Sequence, residues 1–146
     1  MTGKEYLQSI KKLVSQIENN SMKARTFREM AGSVPSPSLS GDHVSYTPSG
    51  SASFEKYIMS AEKYENAVSE GIKKLEDLKS SMFQLIMQVD NYVLCDLLSM
   101  RYIDLLPWPE ISDRLGYSLS HTYRLHTEAL AEFDEIYARK KDDSDS

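Results

Sequence analysis

Cysteine is nearly absent: Cys95 stands alone among 146 residues, so no intrachain disulfide can form. A single thiol suits a reducing compartment and excludes a disulfide-stapled scaffold. Long hydrophobic runs are also missing. None approaches the roughly 20 residues needed to cross a bilayer, and the opening MTGKEYLQSI lacks the apolar stretch of a signal peptide. The expectation is a cytosolic protein without membrane contact. No GxxxxGK[ST], HExxH, GxSxG or paired-cysteine motif occurs, nor a Gly-rich strand-to-helix turn. Enzymatic activity and a bound cofactor are therefore not expected. His121 and His126 are five apart, about 140° around a helix, so they cannot clamp one metal from one face. With Cys95 the only thiol, no metal site is expected.

Positive charge is scarce as well. The net charge is −5, from 17 Lys+Arg against 22 Asp+Glu. The imbalance lies in the C-terminal part, where residues 89–146 hold 6 basic and 12 acidic side chains; residues 1–88 hold 11 and 10. What remains is a chain of 40% hydrophobic and 27% charged residues, enough for a modest core.

Residues 4–30 read as a helix within an N-terminal segment 1–32. Leu7, Ile10, Val14 and Ile17 share one face, and Ala24, Phe27 and Met30 continue the stripe loosely up to a stop at Gly32. Residues 33–53 change character, with 8 Ser, 3 Pro and 2 Gly in 21 positions. Such a composition buries too little apolar surface to offset its ordering entropy, and reads as a linker. A contact strand around His43 and Tyr46 is the functional alternative.

From Phe54 to about Val89, within a segment 54–90, the pattern is one long helix. Ala61, Glu65, Val68, Ile72, Leu75, Lys79, Met82, Ile86 and Val89 alternate steps of four and three. Two positions of this seam are charged, and a small rotation brings Tyr64 and Leu78 into those gaps. One amphipathic helix cannot bury its stripe alone. Either the N-terminal helix folds back on it as a hairpin, or a second copy forms a coiled coil. Asp90 and Asn91 are capping residue types where the seam ends, so a break is expected there, then a helix from about Tyr92 to Leu105.

Pro107 and Pro109 punctuate the chain next, and Pro109 suits the first turn of a helix reaching Leu115. Ile111 and Leu115 point inward, and Trp108 is assigned to the core beneath the following turn. Gly116 can take the left-handed conformation that ends a helix. Ser118 or Ser120 caps the next helix. Along it Thr122, Leu125, Ala129 and Phe133 form an inward stripe, with Leu130 beside it and Ile136 extending it. A short helix, a tight Gly turn and a longer helix make a helix-turn-helix. An acidic tail, residues 141–146, follows a module spanning 91–140.

The residues of this module resemble the fourth conserved region of bacterial sigma factors. The likeness runs through Leu98, Arg101, Tyr102 and Ile103, then Glu110-Ile111, Leu115-Gly116-Tyr117-Ser118 and Ala129-Leu130. It is most similar to small phage regulators of late transcription, the ArpU- and RinA-like group. That group shows a Trp before the Glu-Ile pair, here Trp108, and a Tyr-Arg-Leu-His run, here Tyr123 to His126.

The resemblance implies an all-α protein in which a helical hairpin or coiled coil precedes a sigma-like helix-turn-helix. It further implies a transcription regulator of phage or prophage origin, acting in the cytoplasm of a bacterial host cell on double-stranded promoter DNA. Host RNA polymerase is a further partner, and homodimerisation through the seam is open. The family's base-facing positions fall on Leu119, Ser120, Tyr123 and Arg124. Of these Arg124 is the strong reader, able to form a bidentate bond to guanine. His121 lies near a helix start that itself favours phosphate, and Arg114 adds local positive field. Arg101 is assigned to an ion pair inside the module or to a phosphate. Glu132, Asp134, Glu135, Asp142, Asp143 and Asp145 lie beyond the reading end of the helix. Two other readings stay open: a module that docks mainly on RNA polymerase, and a helical packaging protein resembling small terminase subunits.

Overall fold

The structure, a computed structural model, describes residues 1–34 and 49–145. Helix α1 spans Gly3–Leu7, α2 Ser9–Ser33 and α3 Ser49–Ile86. Helix α4 covers Tyr92–Leu98 and runs directly into a π-helical turn, Ser99–Ile103; α5 is Trp108–Leu115 and α6 is Leu119–Asp145. The protein is all-α, with no strand among the described residues, and no described helix is long and apolar enough to cross a membrane. Most of the Ser/Pro-rich segment, with His43 and Tyr46, lies outside the described residues.

Several boundaries differ from those read in the sequence. The first helix is broken at Gln8. Its opening turn, α1, is capped by Thr2, whose hydroxyl accepts from the Glu5 N–H at 3.1 Å. Helix α3 starts at Ser49 rather than Phe54, and α6 continues through residues 141–145, which form its last turn instead of a separate tail. The seam on α3 keeps most of its expected register, with Ala61, Met82, Ile86 and Val89 buried. Ile72 is 45% exposed, while Gly71 is buried. Leu78 and Tyr64 are partly buried and Lys79 is exposed.

The chain divides into two compact units, Ser15–Lys73 and Met1–Val14 with Lys74–Ser146, where segments 1–32, 54–90 and 91–140 were expected to be the natural divisions. In the first unit α2 and α3 form an antiparallel hairpin. Ile17 lies against Gly71, and Phe27 further along α2 meets Tyr64 and Tyr57 further back on α3. The Phe27 and Tyr64 rings are parallel within 3° at 5.8 Å. Glu65, a charged interruption of the seam, is gripped by Arg28 through two bonds of 2.7 and 2.9 Å. Those bonds hold the Glu65 carboxyl below the usual carboxylate range. Of the two open arrangements the chain adopts the hairpin, so α2 occupies the stripe that a second copy would need. A side chain at Gly71 would place its Cβ 2.7 Å from Ile17 Cγ1; the absence of one lets the two helices approach.

The second unit is built around α6. Its inward stripe, Thr122, Ala129, Phe133 and Ile136, is buried as expected, and Leu125 and Leu130 flank it. Phe133 is the largest fully buried side chain. Leu94, Leu97 and Leu98 of α4 pack with Met82, Ile86 and Val89 from the end of α3 in the same core. Full burial of one such side chain contributes roughly 1.5–3 kcal/mol. Asn91 caps α4, its side chain accepting from the N–H groups of Val93 at 2.9 Å and Leu94 at 3.4 Å. The buried thiol of Cys95 donates to the carbonyls of Ile86 at 3.3 Å and Val89 at 3.1 Å. The Ile86 carbonyl also accepts from the Val89 N–H at 3.0 Å, so the thiol adds a second contact in the turn that follows α3, and burial pushes its pKa up.

The N-terminus is fastened to α6. The Gly3 N–H donates to Asp134 Oδ1 at 2.8 Å, and the Tyr6 ring packs against both Phe133 and Tyr137.

Candidate nucleic-acid interface

The turn between α5 and α6 is set by Gly116, whose φ of +76° lies in the left-handed region. The Tyr117 N–H returns to the Ser112 carbonyl at 3.1 Å, and the Gly116 N–H is shared between the carbonyls of Ser112 at 3.0 Å and Asp113 at 3.3 Å, closing α5 with the bonds typical of a glycine stop. The Ser112 hydroxyl, on a side chain buried under the turn, donates to the Tyr117 carbonyl. Ser118 then caps α6. Its hydroxyl accepts from the His121 N–H at 3.2 Å, and its carbonyl accepts from the buried Thr122 hydroxyl at 2.9 Å. Of the two cap candidates, Ser118 holds the position.

This turn sets which α6 side chains face outward. Leu119 is 41% exposed and Tyr123 47% exposed, and Ser120 and Arg124 are exposed beside them. All four occupy the first two turns of the helix. His121 is partly buried; its ring meets Tyr117 edge-on at 4.6 Å, and its Nδ1 lies 3.4 Å from the Arg124 guanidinium. Arg114 sits on α5, exposed, with Glu110 at 3.0 Å on the same helix face. Its charge is thus partly compensated locally, unlike that of Arg124.

Beneath the face lies a stack of rings. Trp108 meets Tyr123 edge-on at 5.4 Å and His126 at 4.5 Å. Arg101 lies over the Trp108 ring at 4.6 Å, and its Nη1 donates to the Leu106 carbonyl at 3.1 Å. The ion pair assigned to Arg101 is replaced by these two contacts: the π-helical turn aims the side chain at the ring and the adjacent loop. Trp108 is partly buried against the core, as expected. His126 Nε2 and the Tyr102 hydroxyl lie 2.6 Å apart. Burial, then the nearby charges of Arg101 and Lys4, push the His126 pKa down to about 4, so at neutral pH the ring is an uncharged member of the stack.

The loop between the π-helical turn and α5 carries Leu105 at φ +57°, a left-handed conformation costly for a residue with a Cβ. The Leu106 N–H reaches back to the Met100 carbonyl at 2.9 Å, and Leu105 itself packs into the core. No glycine or asparagine marks this turn.

Charge is distributed unevenly along α6. From Leu115 to Thr127 there is no Asp or Glu; the stretch holds Arg124, His121 and His126. The carboxylates begin at Glu128 and continue with Glu132, Asp134 and Glu135. The acidity of this part of the chain therefore lies at the far end of the helix from the turn. No cluster of three or more potential metal ligands occurs among the described residues.

The model of the family described as a protein of unknown function, DUF1492, matches residues 34–134. The chain belongs to that family. The match covers α3, α4, the π-helical turn and α5, and ends in α6 one residue after the buried Phe133. The match thus joins the long helix to the turn between α5 and α6, and α1 and the whole of α2 lie outside the matched residues. No curated protein and no solved structure matches the chain.

Proposed function

We propose that this protein is a DNA-binding regulator of transcription that inserts the first turns of α6 into the major groove of promoter DNA. One observation carries the reading. The Gly116 turn leaves Leu119, Ser120, Tyr123 and Arg124 outward on a helix start that is free of carboxylates. An α-helix about 10–12 Å across fits a groove about 12 Å wide. Arg124 is the cation able to bond guanine in bidentate fashion, and the N–H groups at the start of α6 favour a phosphate nearby. The likeness to sigma factors and phage late-transcription regulators supports the same reading.

Gel-shift titration at about 50 mM salt, where phosphate affinity is greatest, tests it. The probe is DNA from the promoter region beside the protein's own gene. Retardation that survives competition by unrelated duplex supports sequence-specific binding; no retardation at any protein concentration refutes the reading.

A second reading rests on the acidic half of α6. Glu132 and Glu135, with Asp90, line a shallow pocket of about 390 Å³ in which Arg139 is the one cation among the described residues, a net acidic surface that would suit a basic protein partner. RNA polymerase is the candidate the sigma likeness suggests. Capture of polymerase without any DNA binding by the isolated chain would favour this reading over the first.

A further inference from the structure

We propose that the outward face of α6 recognises thymine methyl groups, so that the DNA this protein selects is rich in thymine at the positions flanking one guanine. The inference rests on the DNA-binding reading above and adds the class of sequence read.

Most of the outward face offers hydrocarbon. Leu119 and Tyr123 are 41% and 47% exposed at the start of α6. Thr127 follows Tyr123 by one turn and is exposed too. Its hydroxyl donates to the Tyr123 carbonyl at 3.2 Å, within the same helix. That bond uses the hydroxyl's proton, so Thr127 has no donor left for a base and presents its methyl beside an oxygen that can only accept. Arg124 is the single cation among these positions and Ser120 the single unengaged small polar group. Adenine is usually read by Asn or Gln, and cytosine by Asp or Glu; none of these occurs from Leu115 to Thr127. The remaining base feature that apolar side chains recognise in the major groove is the thymine C5-methyl.

The aromatic contact is also held in place. Trp108 meets Tyr123 edge-on at 5.4 Å and is itself fixed by Arg101 and His126. An exposed ring already ordered before binding loses less side-chain freedom on contact. From Leu119 to Thr127 the helix advances about 12 Å, close to the rise of three to four base pairs at about 3.4 Å each, so Leu119, Tyr123 and Thr127 address neighbouring positions. A protein docking on the same face would need an apolar patch continuous across Ser120 and Arg124, which these two side chains interrupt.

The test uses the full chain. Duplexes are selected from a randomised library, and the enriched sequence is resynthesised with uracil replacing each thymine in turn. Uracil lacks only the methyl group. Affinity is measured by fluorescence anisotropy. Loss of one buried methyl contact corresponds to about a fourfold weaker Kd, expected at one or more positions. Leu119→Ser and Tyr123→Ser are expected to remove that penalty, whereas Arg124→Ala weakens binding but leaves it intact. Both Ser variants change exposed side chains, and an unchanged melting temperature verifies their folding. An enriched duplex whose uracil versions all bind within about twofold of the thymine version overturns this inference and leaves the DNA-binding reading standing. Penalties that persist in both Ser variants overturn it as well. A library with no enriched sequence overturns the DNA-binding reading, and this inference with it.

Discussion

The Tyr102 hydroxyl lies 2.6 Å from His126 Nε2, joining the π-helical turn to the middle of α6. The neutral imidazole either accepts from the phenol at Nε2 or, in its other tautomer, donates to the phenol oxygen. Burial first, then Arg101 and Lys4, hold the His126 pKa at about 4, below its ordinary value of 6.5. The unfolded chain therefore binds more protons than the folded one between those values. Stability is full above about pH 6.5 and falls as pH drops toward 4. The loss reaches roughly 2 kcal/mol by pH 5. Urea midpoints at pH 7 and pH 5 measure it. His126→Gln keeps an acceptor for Tyr102 without a titrating ring, so its stability should change less over this range. Parallel losses in wild type and variant would assign the acid sensitivity to other groups.

Gly116→Ala should destabilise the protein by about 1–2 kcal/mol, through backbone conformation alone. The φ of +76° is unfavourable for any residue with a Cβ, yet a Cβ there meets no atom within 4 Å. Gly116→Asn should therefore cost less than Gly116→Ala, since asparagine tolerates the left-handed region. Thermal melts of the three proteins decide the order. Equal losses for Asn and Ala would point to a steric cause instead.

Gly71→Ala sets two effects against each other. Alanine in a helix interior is favoured over glycine by about 1 kcal/mol, but its Cβ would stand 2.7 Å from Ile17 Cγ1. In the wild-type background the change should be destabilising or neutral. In an Ile17→Ala background the clash is removed and the same change should stabilise. A positive coupling of at least about 0.5 kcal/mol between the two sites is the expected outcome of the double-mutant cycle; additive effects would mean that the helices separate freely at this point.

Arg124→Ala should weaken binding to the selected DNA by about 1–3 kcal/mol and relax preference at one base pair. The side chain is exposed, so the melting temperature should stay unchanged. Lys140→Ala, near the acidic end of α6, should leave affinity as it is. A uniform loss over all sequences in the Arg124 variant, with a shallower salt slope, would make Arg124 a phosphate contact rather than a base reader.

The module was the most legible part of the sequence because its signals are local. Pro109, Gly116 and Ser118 determine a start, a stop and a cap through their own backbone chemistry, and the stripe from Thr122 to Ile136 follows from helical spacing. The hairpin was half legible. Its seam was visible, but its register depended on Gly71 being small enough to admit Ile17, a property of two helices distant in sequence. Arg101 was misassigned for a similar reason. The π-helical turn that aims it at Trp108 comes from i−5 bonding, which no residue pattern announces, and Leu105 in a left-handed conformation carries no glycine to mark it. The contact of the Cys95 thiol with the turn after α3 depends on α4 folding back over the helix it follows, beyond the reach of spacing.

The tie between Gly3 and Asp134 spans 131 residues of chain. The ribosome makes the second of these groups 131 residues after the first. Tyr6 must likewise wait for Phe133 and Tyr137 before it has rings to stack on. The α1 turn therefore waits through the synthesis of 131 further residues before Asp134 exists. A contact of such sequence separation also carries a large loop-closure cost. The core around α6 is accordingly expected to close late, as α6 leaves the exit tunnel, while the α2–α3 hairpin, complete in sequence by residue 73, is free to form earlier.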